Sequence, residues 1–107
     1  MDFNKIYQQI KETNKLETKE TALKFIKFDE EYGEMCSEYL KLVGGTYKKF
    51  DKEALASEMA DTLQVLLSIF SDIEDKTEIT IGDVFAKLEI KNKKWRDKIS
   101  EYTSNKK

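Results

Sequence analysis

The 107-residue chain, 39% hydrophobic and 37% charged, is long enough for one domain over 1–107 but too short for a deep core, so burial between subunits is expected to help. The absence of proline, the four glycines and the many charges match a helical protein with solvated outer faces and exclude a disordered chain. A net charge of −2 removes nucleic acid as the default partner, and the lack of histidine removes imidazole both as a general base and as a metal ligand.

The opening, Met1-Asp2-Phe3-Asn4-Lys5, lacks a signal-peptide pattern, and no apolar run approaches the roughly 20 residues needed to span a bilayer. A cytoplasmic protein with no membrane partner is the expectation. Phe3, Ile6, Tyr7 and Ile10 recur at helical spacing and predict a short amphipathic helix from about Phe3 to Thr13. The polar stretch Lys11 to Lys19 reads as a connection.

A long helix is predicted from about Glu20 to Val43, with Phe25, Phe28, Tyr32, Met35, Tyr39 and Leu42 as its apolar stripe. Gly44-Gly45 ends it in the usual way of glycine at a helix C-terminus. Glu31 and Glu34 lie beside the stripe with Lys27 and Glu38, whereas Glu30 points about 100° away from Glu31 and reads as a supporting or solvated residue. Gly33, between the two glutamates, costs about 1 kcal/mol of helix propensity relative to alanine. Either it is simply tolerated or something approaches that backbone closely. Cys36, the single cysteine, excludes an intrachain disulfide, suits a reducing compartment and is expected in the core.

The third helix is predicted to start near Asp51, its N-cap, and to run to about Asp75. Leu63 to Phe70 is apolar on nearly every face, interrupted by Gln64 and Ser68, which marks this helix as the most buried element. A face that is apolar all round cannot be covered by so small a chain, so a homodimer or homotetramer with its site near the interface is expected. The fourth helix begins with a capping box, Thr80 and Asp83, and a hydrophobic staple, Ile79 and Val84. It continues to about Tyr102 with an inward stripe of Phe85, Leu88, Asn92, Trp95, Ile99 and Tyr102. From Lys87 to the end, eight Lys or Arg face three Asp or Glu.

The informative feature is a pair of carboxylate forks, Glu31 with Glu34 and Glu58 with Asp61. Residues three apart share a helix face, and both forks adjoin apolar sectors. The connection between helices two and three is short, so they should be antiparallel neighbours. Glu34 stands roughly 14 Å before the end of helix two and Glu58 roughly 10 Å into helix three, at similar heights. Four carboxylates brought together at the margin of a core repel each other and lose hydration unless a cation compensates. Oxygen donors without nitrogen or sulfur select Mg²⁺, with Mn²⁺ as a substitute, over zinc or copper. The competing reading is two solvated helix faces paired with lysines.

The segments Phe28-Asp29-Glu30-Glu31-Tyr32-Gly33-Glu34-Met35 and Ala56-Ser57-Glu58-Met59-Ala60-Asp61-Thr62-Leu63, followed by Asn92-Lys93-Lys94-Trp95-Arg96, resemble the signature of the MazG-like, all-α nucleoside triphosphate pyrophosphohydrolases over about residues 20 to 100. The two acidic motifs are specific together and the basic one is looser. The resemblance implies an all-α, four-helix MazG-like bundle completed by dimerisation. It also implies that Glu31, Glu34, Glu58 and Asp61 are catalytic residues holding Mg²⁺, and that the enzyme hydrolyses an NTP or dNTP between its α and β phosphates, releasing the monophosphate and pyrophosphate. Alternatives on the same fold are a dUTPase or a phosphoribosyl-ATP pyrophosphohydrolase. A different class is a non-catalytic helical interaction module whose acidic face binds a basic partner.

A triphosphate substrate needs cations as well as metal. Lys91 and Lys94, on one face with Lys98, are the candidates to grip phosphate, and Asn92 is the candidate to contact base or sugar. Trp95 is read first as a core residue and second as a base-stacking one. Lys27 either contacts phosphate or relieves repulsion among the acids.

Overall fold

A computed structural model describes residues 2–105 and contains four helices, α1 (Phe3–Asn14), α2 (Thr21–Leu42), α3 (Lys52–Thr77) and α4 (Ile81–Asn105), with no strand among the described residues. The protein is all-α, as expected, and each boundary falls within a few residues of its sequence prediction. None of these helices is long and apolar enough to cross a membrane.

Local chemistry sets the ends. Asp2 caps α1 by accepting from the Lys5 amide at 3.2 Å, and Asp51 accepts from the Glu53 amide at 3.0 Å at the start of α3. At the end of α2, Gly44 takes φ +77° and the Gly45 amide donates back to the Leu40 carbonyl at 2.8 Å. This closure needs a residue in the left-handed region, where glycine carries no Cβ penalty. The α4 capping box is formed in both directions: the Thr80 amide donates to Asp83 Oδ2 at 3.0 Å, and the Asp83 amide to Thr80 Oγ1 at 3.1 Å.

The chain divides into two compact units, one through Ile73 and one from Glu74 onward. In the first, α1 and α2 pack on α3. The buried apolar side chains are Tyr7, Leu67 and Ile69; each aliphatic one contributes about 1.5–3 kcal/mol through removal from water. Tyr7 also stacks on Phe3, ring centres 6.2 Å apart. Helix α3 supplies four buried residues, Thr62, Leu67, Ile69 and Ser71, more than any other helix, in line with its apolar run. Leu63, in the same run, is half exposed.

A polar clasp ties the three helices together at the other side of this core. Lys24 on α2, only 6% exposed, sets its ammonium 2.8 Å from Asp72 Oδ2 on α3 and donates to Asn14 Oδ1 on α1 at 3.2 Å. Asn14 Nδ2 donates to the Ser68 carbonyl at 2.9 Å and to Asp72 Oδ1 at 3.0 Å. Ser68 Oγ donates to Asn14 Oδ1, and Thr21 Oγ1 to Asp72 Oδ2 at 3.0 Å. A buried charge is tolerated when it is paired and hydrogen-bonded, and Lys24 has both a carboxylate and an amide oxygen as partners.

The second unit holds the last turn of α3 and all of α4. No residue of α4 is buried. The inward orientation predicted for its stripe is therefore corrected: Leu88, Trp95, Ile99 and Tyr102 are all at least half exposed, and Asn92 is exposed too. The α2 stripe is likewise only half covered, with Phe25, Tyr32, Tyr39 and Leu42 exposed.

Candidate metal centre

Helix periodicity and antiparallel packing bring three of the four predicted carboxylates together. Glu31, Glu34 and Glu58 each offer an oxygen, and the three oxygens lie within 4.8 Å of one another. Glu31 is buried, Glu58 half-buried and Glu34 exposed, so the cluster opens to solvent on the Glu34 side. Asp61 is exposed and lies outside this group of three, although its charge acts on Glu58.

Two buried oxygens define what the cluster lacks. Glu31 Oε2 and Glu58 Oε2 are shielded from solvent and have no hydrogen-bond partner. An unsatisfied buried acceptor is costly, and a cation held by the cluster would supply the missing partner. Nearby backbone polarity is spoken for, since Thr62 Oγ1 donates to the Glu58 carbonyl at 2.8 Å.

The electrostatics agree. Loss of hydration pushes the Glu58 carboxyl above its ordinary value, reinforced by a hydrogen bond with Glu34 and by the charges of Glu34, Asp61 and Glu31. In the metal-free chain Glu58 thus holds a proton more tightly than an isolated glutamate does. Lys27 supplies partial relief from outside: its ammonium stands 2.9 Å from Glu31 Oε1 and 3.7 Å from Glu30 Oε2. The hydrogen bond to Glu31 and that residue's charge hold the Lys27 ammonium above its usual value. Of the two roles read for Lys27 in the sequence, the relief of repulsion is the one the geometry displays. Glu30 is exposed and belongs to this outer pairing.

An all-oxygen donor set suits a hard divalent ion such as Mg²⁺ or Mn²⁺. A buried acidic cluster able to hold a metal ion is therefore present in this chain.

The other predicted site residues are placed differently. Lys91, Asn92, Lys94 and Trp95 are exposed on α4, in the second unit. Cys36, expected in the core, is half-buried and lines an apolar groove of about 610 Å³ between α2 and α3, with Tyr32, Met35, Tyr39 and Met59. At Gly33 a Cβ would meet nothing within 4 Å among the described residues, so no close contact on the Cβ side requires the glycine; its carbonyl accepts from Ser37 Oγ at 3.1 Å.

Sequence reasoning missed the clasp of Lys24, Asn14 and Asp72. Ser68 interrupts the apolar run of α3, and Lys24 precedes Glu31 by two turns on the same side of α2, yet neither identifies a partner. A pocket of about 220 Å³ adjoins the clasp, lined by Lys24, Lys27, Asn14, Gln64 and Ser68 among others.

Comparison with family models, with curated proteins and with solved structures finds no match to this chain.

Proposed function

We propose that this protein is a Mg²⁺-dependent nucleoside triphosphate pyrophosphohydrolase of the MazG-like kind, cleaving an NTP or dNTP to the monophosphate and pyrophosphate. The observation that carries the reading is the convergence of Glu31, Glu34 and Glu58, two of which each keep a buried, unpartnered carboxylate oxygen. Its support is the union of that geometry with the two acidic motifs, Glu30-Glu31-Tyr32-Gly33-Glu34 and Glu58-Met59-Ala60-Asp61.

Glu31, Glu34 and Glu58 would hold the divalent ion, with Asp61 at the edge of the site. When bound, that ion neutralises phosphate charge, polarises the α-phosphorus and lowers the pKa of a coordinated water. The remaining work falls to the protein. A carboxylate oxygen left free by the cation accepts the proton of the attacking water, a task for which no histidine is available. Lys27 lies beside the cluster and can transfer its ammonium from Glu31 to a phosphate oxygen, so that one residue serves the empty and the loaded states in turn. Lys91, Lys94 and Asn92 are the proposed contacts to phosphate and to base or sugar.

A panel of NTPs and dNTPs incubated with Mg²⁺ tests this reading. Monophosphate and pyrophosphate are expected from at least one member, with turnover abolished by EDTA. Diphosphate and orthophosphate as products would mean attack at the γ-phosphorus and would overturn the assignment. Inclusion of dUTP and phosphoribosyl-ATP separates the related specificities.

A further inference from the structure

The polar pocket beside the clasp follows the carboxylate cluster along both helices that build it. On α2, Lys27 stands one turn before Glu31 and Lys24 two turns before it, and on α3 Gln64 stands about one turn after Asp61. At 1.5 Å per residue the α2 side of the pocket lies roughly 6 to 10 Å from Glu31. That is the reach of a nucleoside from its α-phosphate to the far edge of its base. Lys27 belongs to both places, lining the pocket and pairing with Glu31 at 2.9 Å.

The lining is chemically one-sided. Three lysines, Lys19, Lys24 and Lys27, and one acid, Glu17, border its volume of about 220 Å³. Glu17 is already engaged, because its Oε1 accepts from the Thr18 and Lys19 amides at 3.0 and 3.1 Å. Lys24 is the deepest of the lysines, 6% exposed. An ammonium carries three protons and has no acceptor. Asp72 Oδ2 at 2.8 Å and Asn14 Oδ1 at 3.2 Å take two of them, and no further acceptor among the described residues bonds to it. The third proton is a buried donor in the wall of a cavity, and it calls for a ligand atom that accepts.

Ile10 and Val65, both half-buried, give the same pocket apolar walls. A phosphate group gains nothing from such walls. The faces of a flat ring do, while its edge meets the donor.

We infer that this pocket takes the base of the nucleotide and that Lys24 selects a base presenting a carbonyl at that edge, uracil or hypoxanthine, over one presenting an amino group, cytosine or adenine. The identity of the ligand as a nucleotide rests on the pyrophosphohydrolase reading. Within each pair, uracil with cytosine and hypoxanthine with adenine, the carbonyl accepts the third Lys24 proton, whereas the amino group brings protons to an ammonium that cannot accept them. Gln64 separates neither pair: its amide can turn its oxygen to the ring N–H beside a carbonyl, or its NH₂ to the bare ring nitrogen beside an amino group. The clasp is thereby the selective element, with Asp72 and Asn14 holding Lys24 in position, and Asn92 is left to the sugar.

Calorimetry on the intact protein with Mg²⁺ and the non-hydrolysable α,β-imido analogues of dUTP, dCTP, dITP and dATP measures the selection, beside turnover of the four parent triphosphates. A hydrogen bond to a charged group is worth about 10- to 100-fold in affinity. The carbonyl member of at least one pair is expected to bind more tightly than its amino partner by that factor, and the ¹⁵N-labelled Lys24 ammonium should shift with the first and not with the second. Lys24→Met with Asp72→Leu removes the donor without orphaning a charge and should bring the ratio close to one, circular dichroism verifying the fold. Gln64→Leu, at an exposed position, should weaken both members and keep the ratio.

Equal affinity within both pairs, preference for the amino member, no binding of any analogue, or a Lys24 resonance indifferent to the base overturns the assignment in the wild-type protein alone. A folded double variant that weakens both members with the ratio intact makes the lysines phosphate ligands and overturns it too. Release of pyrophosphate from all four triphosphates at equal kcat/KM overturns the base pocket and leaves the pyrophosphohydrolase reading in place. Analogue binding with the carbonyl preference, but no pyrophosphate from any triphosphate, overturns that reading and leaves the pocket assignment standing.

Discussion

Removal of Asp72 exposes how much of this small fold depends on a single polar clasp. In Asp72→Ala the Lys24 ammonium keeps Asn14 Oδ1 but loses a carboxylate at 2.8 Å, and Asn14 Nδ2 and Thr21 Oγ1 each lose an acceptor. Breaking one side of a buried ion pair costs about 3–5 kcal/mol, because the other charge stays desolvated. The side chain of Lys24 is 8% exposed and that of Asp72 17%, so some water can enter and the low end, about 3 kcal/mol, applies. At 4–8 °C for each kcal/mol in a domain near this size, the melting point should fall by about 12 °C or more. Thermal unfolding by circular dichroism at one fixed protein concentration measures it. The paired replacement Lys24→Met with Asp72→Leu removes both charges and should recover most of the loss, as apolar replacements of buried pairs do. A fall of only about 2–3 °C in Asp72→Ala would correspond to the worth of an exposed pair and would refute the argument that this charge is held out of water.

Mg²⁺ or Mn²⁺ at about 100 times Kd should raise the wild-type melting point by on the order of 10 °C through binding to the folded state alone, and Glu58→Gln should abolish most of this while leaving the metal-free protein at least as stable as wild type. An unchanged wild-type melting point together with a destabilised Glu58→Gln would make Glu58 a structural residue. The pH dependence has a definite sign. The folded-state pKa of Glu58 is raised above 4.5, mainly by loss of hydration, so its contribution to metal-free stability is full below that value and is lost as pH rises through the elevated one. Melting curves in EDTA should show wild type losing stability relative to Glu58→Gln across that window, and a constant difference between the two would contradict the shift. Metal binding should strengthen over the same window, because the ion competes with the Glu58 proton; calorimetric titration at several pH values reads it.

The helices were legible because their signals are local. Capping at Asp51 and Thr80, the glycine closure after α2 and the apolar periodicities each depend on residues within one or two turns. The carboxylate cluster was legible for a related reason: each fork is a three-residue spacing, and one short connection sufficed to set the forks at equal height. Asp61 fell outside the closest group because shared spacing fixes the side of a helix but not the rotation that decides which prong points inward. The clasp was not legible, since nothing near Lys24 in sequence announces a partner at Asp72. A lysine two turns ahead of an acidic fork reads as one more solvated charge until the fold brings α1 and α3 around it. The inward orientation expected of the α4 stripe was not legible, because spacing reports which residues share a helix face and is silent on whether that face is buried.

Lys27 gives the carboxylate cluster a resident counter-ion. Its ammonium is tethered one helical turn from Glu31, so the positive charge is supplied at a local concentration that dissolved K⁺ or Na⁺ cannot match, and dilution or dialysis does not remove it. Added salt then acts on two opposed terms together: it screens the attraction of Lys27 for Glu31 and it screens the repulsion among the carboxylates. The two changes act in opposite directions on the metal-free fold, so salt shifts its stability less than the carboxylate repulsion alone would.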